Sequence, residues 1–264
     1  LPMRRLLLPL ALLLASCTSV APPAERYDTI IRGGTIVDGS GAEPFTGDVA
    51  LRGDRIVAVA PAIAGTARQE IDARGLAVAP GFVNMLSWAN AALVVDGAGE
   101  SDIRQGVTLE VMGEGWSEGP FNEKMVAEEL KQQGDLKYPI TWRTLRQYHD
   151  FLEAKGIAPN VASFVGATTV RIHELGEDDV DPTPEQLRRM QNQVRKAMNE
   201  GAMGVGSSLI YAPAAFAETP ELIALAAASA QCGGMYTSHI RNESDHVLDA
   251  VDELIAIARA SGGP

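Results

Sequence analysis

From Pro80-Gly81 onward the chain repeats one pattern, and that pattern restricts its fold more than any other feature. Short apolar runs at Gly81–Leu86, Val107–Met112, Val161–Val165, Ala202–Ser207 and Met235–His239 alternate with amphipathic helical stretches. A buried strand followed by a helix that returns the chain gives parallel strands covered by helices. The class is therefore α/β, as a barrel or a doubly wound sheet. The helices are well punctuated. Thr183 N-caps one, Pro184 takes its first position, Gln186 completes a capping box and Gly201 ends it. Thr219-Pro220 opens the next and Gly233-Gly234 closes it. Ser244 opens the last, with Val247, Leu248, Val251, Leu254, Ile255 and Ala258 on one face.

Residues 27–80 read differently, as strands alone. Thr29–Arg32, the pair Gly33-Gly34 and Thr35–Val37 suggest a hairpin, and Val49–Arg52, Gly53-Asp54 and Arg55–Val59 suggest a second. Short strands near Ile71 and at Leu76–Ala79 complete a small β-module. Ahead of it, Arg4 and Arg5 precede an apolar run from Leu6 to Ala15, too short to span a bilayer and typical of a secretory signal. Leu14-Ala15-Ser16-Cys17 resembles the lipobox of bacterial lipoproteins. It implies export to the periplasm or cell envelope, lipidation of Cys17 as the attachment to the membrane, and a linker over residues 18–26.

Composition removes several classes. A net charge of -12 speaks against nucleic acid as a partner, and two cysteines against a disulfide scaffold. Cys232 is expected to be a small buried apolar residue. Gly113-Glu114-Gly115 lacks the third glycine of a dinucleotide fingerprint. Length supplies a further constraint. A barrel uses roughly 31 residues per strand–helix unit, so the stretch from Gly81 to Pro264 holds about six units, and five strands are found. The expectation is an incomplete (β/α)8 TIM-type barrel with a small N-terminal β-sandwich module.

Several segments, in order, carry a resemblance: Tyr27–Gly41, Ala79-Pro80-Gly81-Phe82-Val83, Arg104-Gln105-Gly106-Val107-Thr108 and Asn160–Gly166. Glu200–Gly204, Ser208-Leu209-Ile210-Tyr211 and Tyr236–Glu243 follow. Together they are similar to the N-acyl-D-amino-acid deacylase (D-aminoacylase) family of the amidohydrolase superfamily. The resemblance implies a small-molecule N-acyl amino acid substrate and hydrolysis of its linear amide by water activated on one zinc ion. It also exposes departures. Where the family carries two histidines one residue apart on the first barrel strand, this chain has Leu86 and Trp88; where it carries Val-Gly-His, the chain reads Val165-Gly166-Ala167. The family's bridging cysteine falls at or beside Gly115, and a further metal histidine and the catalytic aspartate are expected beyond Pro264. The 264-residue chain by itself is expected to be inactive.

The remaining candidates follow from residue type and position. His239, at the end of an inferred strand, is a metal ligand or a histidine hydrogen-bonded at a loop mouth. Glu114 is a replacement metal ligand or an ordinary loop carboxylate. Tyr211 and Arg241 resemble substrate-binding positions, since a hydroxyl and a guanidinium suit a carboxylate; Arg241 could equally pair with Glu243. His149 is expected on a solvated helix face, His173 in an acidic loop and His246 exposed. A rival reading is a catalytically inactive, lipid-anchored binding or scaffold protein, with Leu86 and Trp88 filling the metal cavity.

Overall fold

The computed structural model describes residues 25–264; the run Leu6–Ala15, Cys17 and the linker up to residue 24 lie outside the described residues. The chain divides into two compact units, meeting at Pro80/Gly81. Among the described residues no helix is long and apolar enough to cross a membrane.

The first unit is one mixed sheet of β1 (Arg26–Ile36), β2 (Phe45–Arg52), β3 (Arg55–Ala60), β4 (Thr66–Asp72) and β5 (Ala77–Val78). β1 is its centre, antiparallel to β2 and parallel to β4 and β5. The second expected hairpin forms as β2–β3 about Gly53-Asp54. The first does not. Gly33-Gly34 lies inside the continuous strand β1, where the register with β2 shifts between Ile31 and Gly34. A Gly-Gly pair serves a bulge as well as a turn, because both need φ values that other residues avoid. Here Gly33 takes φ 69°. The buried Asp48 fixes the bulge by accepting from the backbone N–H of Gly33 at 2.9 Å and of Ile63 at 3.0 Å, and from Arg32 at 3.0 Å.

The second unit is mixed α/β and contains two all-parallel three-stranded sheets. One is β6 (Phe82–Asn84), β7 (Val107–Met112) and β8 (Asn160–Ser163); the other is β9 (Val165–Gly166), β10 (Gly204–Ser208) and β11 (Met235–His239). The run Val161–Val165, read as one strand, is broken at Phe164 and divided between the two sheets. Its fragments stay adjacent: the Phe164 N–H donates to the Met112 carbonyl, and that of Met203 to the Ser163 carbonyl, both at 2.9 Å. Eight α-helices are found among the described residues: α1 (Asn90–Val95), α2 (Glu100–Ile103), α3 (Glu123–Gln132), α4 (Leu145–Lys155), α5 (Ala167–Leu175), α6 (Pro184–Asn199), α7 (Thr219–Ala230) and α8 (Val247–Ser261).

The helix signals hold where they are local. Thr183 and Gln186 form the capping box of α6, with Pro184 in its first turn. Trp142, Tyr148 and Leu152 join Val165, Val194, Val205 and Leu222 in the core. Tertiary contacts correct the rest. α8 begins at Val247, and Ser244 instead lies in a turn about Asn242 Oδ1, which accepts from the N–H groups of Ser244 and His246. Its buried residues are Ala250 and Ile257, while Leu248, Val251 and Ile255 of the expected face are exposed. Cys232 is exposed in the turn after α7. His149 is half-buried with Nε2 unpartnered, and His173 lies in α5 with Nδ1 2.7 Å from Gln193 Nε2. Burial lowers the pKa of both imidazoles. His246 is exposed, as expected.

Candidate active site

The candidate side chains lie at or just beyond the C-terminal ends of strands in the second unit, the edge where parallel α/β proteins build their sites. Ser208 ends β10, His239 ends β11, and they are register partners that share one face of the sheet. Glu114 lies two residues beyond the end of β7. Glycine brings it close. A side chain on Gly206 would place its Cβ 2.3 Å from the Gly113 carbonyl oxygen, and one on Gly115 (φ 81°) would lie 2.5 Å from Ser208 Oγ. The loop therefore packs backbone-on-backbone across β10, and Ser208 Oγ donates to the Glu114 carbonyl at 3.0 Å. Ser117 locks the far side of the loop, donating to the Gly119 carbonyl and accepting from the Gly166 N–H.

This placement unites Glu114 and His239, which are far apart in sequence. His239 Nδ1 is 3.6 Å from Glu114 Oε2, and Nε2 is 3.3 Å from Glu243 Oε1. The Tyr211 ring meets the imidazole edge-on, with centroids 5.2 Å apart. Two protein donors bound to a tetrahedral zinc at about 2.0–2.2 Å stand about 3.3–3.6 Å apart. His239 and Glu114 thus fit a single ion as two of its ligands. Among the described residues, no group of three or more His, Cys, Asp or Glu side chains is arranged to hold a metal ion.

Arg241 stands apart from the other candidates. Its guanidinium donates to Glu253 through Nε at 2.8 Å and Nη2 at 2.9 Å, and to the carbonyls of Ala215 and Ala217 at 2.8 Å each. Four of its five N–H groups are engaged in tying the strand end to α8. The alternative pairing with Glu243 is not made, and Glu243 faces His239 instead. Leu86 and Trp88, in the positions that favoured the inactive-scaffold reading, are 50% and 59% exposed in this chain, which spans about half the length of its relatives.

Three residues at or near this site escaped the reading of the sequence. Ser208 and Glu243 stood within segments that carry the resemblance, without a role at the site, and Glu243 also as a partner for Arg241. Glu118 carried no signal. It is buried in the loop that presents Glu114 and accepts from Trp142 Nε1 at 3.3 Å. Burial, reinforced by the nearby Glu129, pushes its carboxyl up to about 7.

No family model matches the chain. Individual relatives do. The chain is 35% identical over 243 residues to an N-acyl-D-glutamate deacylase of Alcaligenes xylosoxydans xylosoxydans, covering 90% of this chain and 49% of that protein. It is 31% identical over 240 residues to a D-aminoacylase of the same organism, covering 89% and 49%. Among solved structures, a D-aminoacylase described as defining a subset of amidohydrolases aligns with a TM-score of 0.78 at 31% identity, over 90% of this chain and 50% of its own. An N-acyl-D-glutamate deacylase of Bordetella bronchiseptica, complexed with zinc and a phosphonate inhibitor, aligns with a TM-score of 0.77 at 32% identity and the same coverage. The class common to these structures is the amidohydrolase. Within it, this chain belongs to the D-aminoacylase family, and it spans about half the length of the curated relatives it matches.

Proposed function

We propose that the natural protein hydrolyses the linear amide of an N-acyl-D-amino acid, with His239 and Glu114 as two ligands of one zinc ion. The convergence of these donors from separate strand ends, at 3.6 Å, is the observation that carries this reading. Zinc, when bound, supplies Lewis acidity toward the amide and lowers the pKa of water. The chain's own groups orient the reactants. Tyr211 stands beside His239 to contact the substrate, and Arg241 braces the strand end rather than meeting the substrate carboxylate. The two parallel sheets belong, in this proposal, to one (β/α)8 barrel, and residues 27–80 to a β-sandwich module. Support comes from strand order that follows chain order within each sheet, and from the D-aminoacylase likeness. The basic and apolar opening of the sequence supports export, and Cys17 a lipid anchor.

The test is hydrolysis of N-acetyl-D-glutamate and of N-acetyl-D-amino acids with neutral side chains, combined with metal analysis. The expected result is turnover and close to one equivalent of zinc, both lost in His239→Ala. Turnover that survives His239→Ala, or a natural protein that takes up no zinc, overturns the proposal.

A further inference from the structure

We infer that Glu243 is a positioning residue, which holds the His239 imidazole in the orientation that turns Nδ1 toward Glu114 and a bound metal ion. This inference rests on the metal-site reading above and deepens it. The His239 backbone is already fixed, because its carbonyl accepts from the Leu209 N–H at 2.9 Å and from Ser238 Oγ at 3.0 Å. Its ring still has to be oriented. The Tyr211 edge limits it on one side, and Nδ1 faces Glu114. The free end, Nε2, lies 3.3 Å from Glu243 Oε1, a charge contact rather than an aligned hydrogen bond.

The segment bearing Glu243 is built to keep it there. Arg241, two residues earlier, is tied to Glu253, Ala215 and Ala217. Asn242 Oδ1 accepts from two backbone N–H groups that follow, those of Ser244 and His246. Glu243 is thus held between two anchored residues while its own side chain remains 59% exposed. Because Glu253 occupies Arg241, no ion pair among the described residues draws the Glu243 carboxylate away from His239. The two nitrogens of a neutral imidazole are distinct. A carboxylate beside Nε2 favours the tautomer with its proton there, which leaves the Nδ1 lone pair for a metal. Such partners commonly contribute about 10–100-fold to metal affinity.

The experiment titrates the metal-free natural protein with Co²⁺ alone, followed by its visible absorption, and records the imidazole 15N shifts of the metal-free form. The variants are H239A, E243A and E243Q. His239→Ala should abolish the Co²⁺ absorption. Glu243→Ala should weaken binding about 10–100-fold, with the saturated spectrum unchanged and the 15N shifts moved toward a mixture of tautomers. Glu243→Gln keeps an acceptor for Nε2–H and should recover most of the affinity. Thermal unfolding should match wild type, since the side chain is largely exposed; if Glu243→Ala unfolds, the Glu243→Gln affinity and 15N shifts decide. Absent Co²⁺ binding in wild type, or binding retained by His239→Ala, removes the metal reading and this role together. Binding within twofold of wild type in Glu243→Ala, with unchanged 15N shifts, overturns this role alone.

Discussion

The two parallel sheets of the second unit share strand direction and chain order but carry very different residues at their strand ends. β6 ends at Asn84 and is followed by Met85, Leu86 and Trp88, all exposed in a chain that spans about half the length of its relatives, and none with a donor suited to zinc. β9–β10–β11 ends in Ser208 and His239, and all five residues of β10 are buried. One sheet lends the site only a loop, which passes across the other and delivers Glu114 to His239. The difference teaches that the site's position depends on backbone packing through Gly113, Gly115 and Gly206 as much as on the donors themselves. Resemblance at the level of the whole chain does not require every strand to keep its family's ligands.

The largest expected effect tests how far the second sheet depends on a polar tie beneath it. Arg171 on α5 and Glu221 on α7 form a buried ion pair, 1% and 4% exposed, with Arg171 Nη1 donating to Glu221 Oε2 at 2.5 Å. Arg171→Met strands a buried carboxylate and should cost about 3–5 kcal/mol in denaturant unfolding. A loss below 1 kcal/mol would mean that this sheet is held by its apolar core alone.

Next comes the crossing of loop and strand. Gly206→Ala drives a methyl against the Gly113 carbonyl and the Glu114 backbone. Overpacking of this kind costs about 1–3 kcal/mol, and metal binding should fall with it because Glu114 is displaced. Stability lost while Co²⁺ affinity stays intact would separate the loop from the site.

The pH dependence of Glu118 is a smaller effect. Its carboxyl is raised in the folded protein to about 7. Between the ordinary carboxyl value and about 7 the unfolded chain therefore ionises first, and folding loses stability as pH rises through that window. At about 1.4 kcal/mol per unit the loss is on the order of 3 kcal/mol, absent below the window and complete above it. Glu118→Gln should remove it, so the stability of the variant relative to wild type should climb from pH 4.5 to 7. A flat difference across that range would show Glu118 to be charged in the folded loop.

The smallest effect is expected in the first sheet. In the chain of these 264 residues Leu86→Ser and Trp88→Ser change exposed side chains and should each shift stability by about 0.5 kcal/mol or less. A loss of several kcal/mol from either would mean that this strand end is packed in solution, and the contrast between the sheets would collapse.

Signals confined to a few residues were legible in the chain. The capping box of Thr183 and Gln186, the β2–β3 hairpin and four of the five apolar runs depend on neighbours in sequence and formed strands or caps, whereas Val161–Val165 was split between two sheets. Gly33-Gly34 misled because a turn and a bulge demand the same backbone freedom, and only pairing with β2 distinguishes them. On α8 the periodicity was legible, while Leu248, Val251 and Ile255 of that stripe are exposed in a chain that spans about half the length of its relatives. The likeness in strand order and motifs also named His239 and Glu114, although nothing in the spacing placed them together.

By itself, then, the sequence determined the α/β class, the family and which residue types stand at the strand ends, since periodicity, caps and turns are local consequences of side-chain chemistry. Tertiary structure alone decided that Glu114 reaches His239, that Glu253 takes Arg241, and that Glu243 is free to face the imidazole. The first of these joins residues on different elements, and how closely the backbones approach at Gly113, Gly115 and Gly206 sets it, an approach of which linear spacing carries no record.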